Sequence, residues 1–222
     1  MDGDIASAGS RTALPVRAGL ALFVLLLGLA VAAYPGGSQA DAGAERFSLL
    51  RNYWCDLFRG VAPNGVPSER APLLARFAFL AIAAVLPGFW WRASRRLDGQ
   101  RNRLAVLACG LASAAGVAVF ALVAGDDYGL LHAAITCGTG GLGLVAAALV
   151  LRADLPLHRP GSAAHAWGLA LVVTASVNIV VYAALLLRGG DSAALPVVQK
   201  LATIAVLGWM WTVADHRAAP LG

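Results

Sequence analysis

The sequence predicts an all-α, polytopic membrane bundle of six transmembrane helices, with both termini cytoplasmic. Three observations carry that expectation. Hydrophobic residues make up 59% of the 222 residues and charged ones only 13%, against about 25% charge in an ordinary soluble domain. The apolar residues fall into runs of the length that crosses a bilayer as helix, about 20 residues each. Arginines gather in alternate connections, five within 92–103 and two within 152–164, with Arg11, Arg17 and Arg217 on the tails. That asymmetry is the positive-inside pattern.

The expected order starts with a polar, unstructured cytoplasmic tail at 1–17, followed by a six-helix domain over 18–214. Its first span, 18–34, is longer than the roughly 7–15 residues of a signal-peptide core, so it reads as an uncleaved helix rather than a leader. Pro35-Gly36-Gly37 ends it, because proline cannot continue a helix and glycine supports the turn. An outer loop at 35–70 leads to the second span, 71–91, which finishes on an aromatic belt of Phe89, Trp90 and Trp91. The third, 104–124, carries Gly110, Ser113 and Gly116, small residues that suit close helix approach. A short acidic turn, with Asp126 and Asp127, precedes the fourth span at 129–151. The run CGTGGLG there lies inside an apolar helix rather than after a strand, so it serves helix packing and not a nucleotide. The fifth span is 165–187, the sixth 193–214, and 215–222 is a cytoplasmic tail.

One stretch in the outer loop stands apart. FSLLRNYWCDLF, 47–58, is amphipathic, aromatic-rich and charged. On an α-helix Leu50, Tyr53, Trp54 and Leu57 follow the i, i+3, i+4, i+7 pattern, while Asn52 and Asp56 share another face. The expectation is a helical or re-entrant segment lying at the outer membrane face as a lid.

Charge at membrane depth is costly and marks function by default. Counting the helical rise of about 1.5 Å per residue places Arg76, His132, Asn178, Tyr182, Gln199 and Lys200 all in the outer half of the bundle, beneath the lid. With Asn52 and Asp56 on the lid and Asp127 in the acidic turn, these nine residues form the predicted ligand-binding pocket. Lys200, the sole lysine, is the deepest charge, and Asp56 is its expected counter-charge, with Asp127 next.

Other chemistries are weakly supported. The arginines lie in short loops between apolar spans, which argues against nucleic acid. Three cysteines without CxxC form neither a disulfide scaffold nor a zinc motif; a bridge between Cys55 and Cys137 is left open. A metal set of Asp56, Asp127 and His132 is thin for zinc, and His165 with His216 lies too near the inner edge for haem. No cofactor is expected. There is no GxSxG elbow for Ser-His-Asp catalysis. No inverted repeat or pair of broken helices marks a transporter, which stays a second alternative.

YPGG after the first helix, the N-x-x-x-D spacing of Asn52 and Asp56, and the Gln199-Lys200 pair resemble the Frag/DRAM/Sfk-type six-helix membrane proteins and their bacterial relatives. Asn52, Asp56 and Leu57 match a pattern N-x-L-S-D-L-G in those relatives; the serine and glycine positions depart from it. The resemblance implies a multi-pass protein of the cell membrane, the inner membrane in a bacterium. It brings no catalytic activity, and the eukaryotic members are linked to membrane trafficking, lipid remodelling and lipid asymmetry. The expected function is binding or sensing of a membrane lipid or small amphiphile in the outer pocket. The alternative is an intramembrane lipid hydrolase or transferase using Asp56 and His132, as in a more distant group of seven-helix hydrolases whose histidine set this chain lacks.

Overall fold

A computed structural model describes residues 2–123, 129–153, 159–188 and 192–215. Six α-helices follow one another: α1 (Asp2–Ala33), α2 (Arg70–Arg95), α3 (Gln100–Val123), α4 (Gly129–Ala153), α5 (Ala163–Arg188) and α6 (Leu195–Asp215). Each is long and apolar enough to cross a membrane, and the chain is a multi-pass, six-helix membrane bundle. Every helix packs on its neighbours in sequence, and α6 returns to α1, so the bundle closes into a ring.

The ring has two unlike ends. At one, α1 ends and α2 begins, and the 34–69 segment folds over the opening as a lid. At the other, α2 ends and α3 begins among the arginines, leaving only residues 96–99 between two helices that each run further than the apolar pattern suggested. Helix α1 also starts earlier than expected, at Asp2, and carries Pro15 inside it. The polar tail thus extends the first helix ahead of its apolar part, which begins at Leu14, instead of forming a separate unstructured segment.

The outward faces stay apolar. Leu25, Phe77, Val173, Val180 and Leu187 are all exposed, as lipid-facing side chains are in a fold whose solvent is hydrocarbon. Trp91, Trp167 and Trp211 are exposed as well, and the Arg17 guanidinium lies 4.6 Å from the centre of the Trp211 ring.

Small residues hold the seams. A methyl group added at Gly110 of α3 would come 2.6 Å from Cδ2 of Trp90 on α2. Gly116 gives the same close approach to Thr139 on α4, Gly168 of α5 to Leu151, and Gly208 of α6 to Trp167. Without a hydrophobic drive between helices in lipid, such contacts supply the packing. Trp90 is buried and packs against Phe89 and Trp209, so moving it aside would break those ring contacts. Gly110→Val is expected to destabilise the detergent-solubilised protein by about 1–3 kcal/mol, the range for overpacking. An unchanged midpoint in thermal unfolding would show that α2 and α3 do not meet there.

Candidate functional site

The lid begins at the YPGG turn. Gly36 and Gly37 have φ of 115° and 80°, a region that side-chain-bearing residues rarely adopt. Side chains here would also run into the backbone of Ala44, Glu45 and Asn64. The Gly37 N–H donates to the Ala44 carbonyl at 2.7 Å, which turns the chain back over the ring.

The 47–58 stretch then departs from the expected α-helix. Residues 49–51 form a turn, and only Trp54–Phe58 is helical, as a single 3-10 segment. Leu50 is exposed, whereas Tyr53 and Leu57 are buried, so the four-residue stripe does not share one face. The cause is the Asn52 side chain. Its Oδ1 accepts from the Ser48 N–H at 2.9 Å. Its Nδ2 donates to the Gly37 carbonyl at 2.7 Å and to Asp56 Oδ2 at 2.9 Å. A side chain that satisfies backbone groups in this way competes with helix propagation. Asp56 Oδ2 also accepts the Tyr53 N–H at 2.9 Å. Asn52 and Asp56, expected to share a helix face toward the pocket, instead bond to each other as the clasp that fixes the lid's own fold.

The lid is fastened to α6. The Trp54 N–H donates to Gln199 Oε1 at 2.8 Å, and its indole N–H to Thr203 Oγ1 at 3.0 Å. The Tyr53 hydroxyl donates to the Ser192 carbonyl at 3.3 Å. Lys200 Nζ donates to the backbone carbonyl of Asn52 and lies 4.8 Å and 5.5 Å from the centres of the Trp54 and Phe47 rings. Such placement over ring faces is a cation–π contact. Contrary to expectation, Lys200 forms no ion pair with Asp56. The carboxylate sits one link away, reaching the ammonium through Asn52.

Beneath the lid, the ring holds a partly open cavity of about 320 Å³. Tyr53, Trp54 and Cys55 form its roof, and Trp90, Trp209 and Met210 line it toward the arginine end. His132, Asn178, Tyr182 and Gln199 of the predicted pocket line it. His132 packs against Phe120 with ring centres 4.9 Å apart and planes tilted at 45°, and Phe120 in turn meets Phe58 of the lid and Phe79.

The remaining predicted residues fall elsewhere. Arg76 is exposed on the outside of α2 and does not line the cavity; six residues into α2, it is about 9 Å from the helix end, within reach of the interface along its own stem. Asp127 lies outside the described residues, as do Asp126 and His216. Asn52, Asp56 and Lys200 belong to the clasp, not to the cavity wall. Sequence reasoning missed Thr203 and Trp54 as a pair; Thr203 stands one helical turn beyond Gln199 and was legible on that ground. It also missed the hydroxyls of Ser113, Thr136 and Thr139 along the wall.

The geometry bears on chemistry. Asp56, buried and off the cavity wall, has no hydrogen bond or ion pair to His132, so the two do not form an acid–base pair. The three cysteines are free thiols. Burial, aided by Asp56, pushes the Cys55 thiol up to about 12, which leaves it neutral and a poor nucleophile at ordinary pH. Among the described residues no three His, Cys, Asp or Glu side chains gather as metal ligands.

Burial also raises the Asp56 carboxyl above its ordinary 3.8, against the opposing hydrogen bonds from Asn52 and Tyr53 and the charges of Arg59 and Lys200. A folded-state value above the unfolded one means that the folded protein holds more protons across the interval between them. The Asp56 contribution is then full below about 3.8 and is lost as pH rises through the raised value. Asp56→Asn should therefore flatten the pH dependence of stability over the interval that begins at about 3.8 and runs upward. Parallel wild-type and variant curves across that interval would rule out the raised value.

No protein-family model, curated protein or solved structure matches the chain. Its function is read from the geometry of the lid and the cavity.

Proposed function

We propose that this protein binds or senses a membrane lipid or small amphiphile, held inside the helix ring and roofed by the lid. The observation that carries the reading is the cavity. Its volume of about 320 Å³ falls within the roughly 300–1,000 Å³ of small-molecule sites, which pair apolar walls with a few fixed polar groups. A ring of helices in a bilayer gives such a ligand a route from hydrocarbon. The seam between α4 and α5 is sparsely packed beside those of α1–α2, α2–α3 and α3–α4. The arginines clustered at 92–103 support a cytoplasmic arginine end and an outward lid, by the positive-inside tendency. The resemblance to six-helix membrane proteins linked to lipid remodelling points the same way.

The test is lipid analysis of protein purified in detergent, wild type beside Ala175→Phe/Ala202→Phe. Both alanines line the cavity, and two phenyl rings would fill much of it. The wild type is expected to retain a bound lipid near one per chain, and the filled variant, checked for an intact thermal midpoint, to lose at least about 80% of it, which is over 1 kcal/mol of binding. Equal lipid content in the two proteins would end the cavity reading.

A further inference from the structure

We infer that the occupant of this cavity is an uncharged amphiphile, with a hydroxyl- or carbonyl-bearing head at the level of His132 and Asn178 and its chain directed to the arginine end; this rests on the lipid-binding reading above. Three observations carry it.

The first is charge. Among the described residues lining the cavity there is no Asp, Glu, Lys or Arg. Lys200, next to Gln199 of the wall, is not itself part of the wall, and its ammonium is engaged by the Asn52 carbonyl and two ring faces. An ionised phosphate or carboxylate placed in the cavity would lose its hydration with no counter-charge to meet it, a cost of several kcal/mol.

The second is unmet hydrogen bonding. His132 Nδ1 and Asn178 Oδ1 are buried with no hydrogen-bond partner, while both residues line the cavity. Three of the wall hydroxyls are already committed: Thr136 donates to the His132 carbonyl, Thr203 to the Gln199 carbonyl, and Ser113 to the Thr139 carbonyl. Buried polar atoms are nearly always satisfied, so orphaned ones mark a missing partner. An amide and an imidazole both serve neutral oxygen groups.

The third is the gradient along the axis. Helix α4 begins at Gly129 and α5 ends at Arg188, which puts His132 about 5 Å and Asn178 about 15 Å below the lid end by the helical rise. Further on, the wall turns to Leu86, Ala147, Leu171 and the rings of Trp90 and Trp209, where the Trp90 indole N–H is the one further buried wall atom without a hydrogen-bond partner among the described residues. His132 and Asn178 lie about 10 Å apart along the axis by the same rise. A head with several uncharged oxygens, such as a glycerol ester, spans that interval, and its chain meets hydrocarbon beyond it.

The experiment uses the full chain in phosphatidylcholine nanodiscs, with Trp91, Trp167 and Trp211 replaced by phenylalanine. Trp54, Trp90 and Trp209, all on the cavity wall, then report. The probes are three amphiphiles with the same bromine-labelled acyl chain: the glycerol monoester, the free carboxylate and the glycerol monoester phosphate. Saturable tryptophan quenching is expected for the neutral monoester at concentrations at least about tenfold below the two anions, and Asn178→Leu should weaken the monoester about tenfold and the anions little. Quenching by an anion as tight as by the monoester would overturn the neutral-head inference and leave the cavity reading standing. Absence of saturable quenching by all three would overturn both.

Discussion

Asn52→Leu is expected to lower the stability of the detergent-solubilised protein by about 4 kcal/mol, the largest effect of any single lid substitution. Asn52 is fully buried and its side chain makes three hydrogen bonds, to the Ser48 N–H, the Gly37 carbonyl and Asp56. Leucine fills the volume and meets none of them. Two neutral hydrogen bonds at about 1 kcal/mol each and one to a carboxylate at about 1.5–3 kcal/mol give that sum. Asp56 would lose one of its two hydrogen bonds while staying buried. Asn52→Asp is nearly isosteric, but it would set a second carboxylate against Asp56, so it should not rescue the fold at neutral pH and should improve as pH falls. The measurement is denaturant or thermal unfolding in one detergent, followed by tryptophan fluorescence. A loss below about 1 kcal/mol would show that the clasp does not hold the lid.

Lys200→Met should cost about 2–3 kcal/mol, the penalty for leaving the buried Asn52 carbonyl without its donor together with two lost cation–π contacts. Lys200→Arg should cost less, since it keeps both the charge and a donor. The informative comparison is the cycle with Asp56→Asn. Lys200 and Asp56 make no ion pair, but each lies within the other's field. The expected coupling is therefore about 0.5–1 kcal/mol, well under the 3–5 kcal/mol that follows from breaking a buried contact pair. A coupling above about 2 kcal/mol would mean that the ammonium and carboxylate meet directly. Strict additivity would mean that Asn52 does not relay between them.

The sequence by itself determined the solvent and the order of the elements. Low charge, six apolar runs, the PGG stop after the first helix and small residues such as Gly110 and Gly116 are local facts, and each dictates a local outcome. Only the tertiary structure decided which faces look inward. In a soluble helix a polar stripe points to water and reveals the core; here both the lipid side and the core side are apolar, so Arg76 and Asn178, equally polar intrusions in the sequence, end on opposite sides of the ring. It also decided the partner of Lys200, because a backbone carbonyl 148 positions away in the chain carries no side-chain signature. The lid's turn and 3-10 segment replaced an α-helix because Asn52 found Gly37, a contact 15 positions distant that exists only once the glycine turn has folded the loop back over the ring.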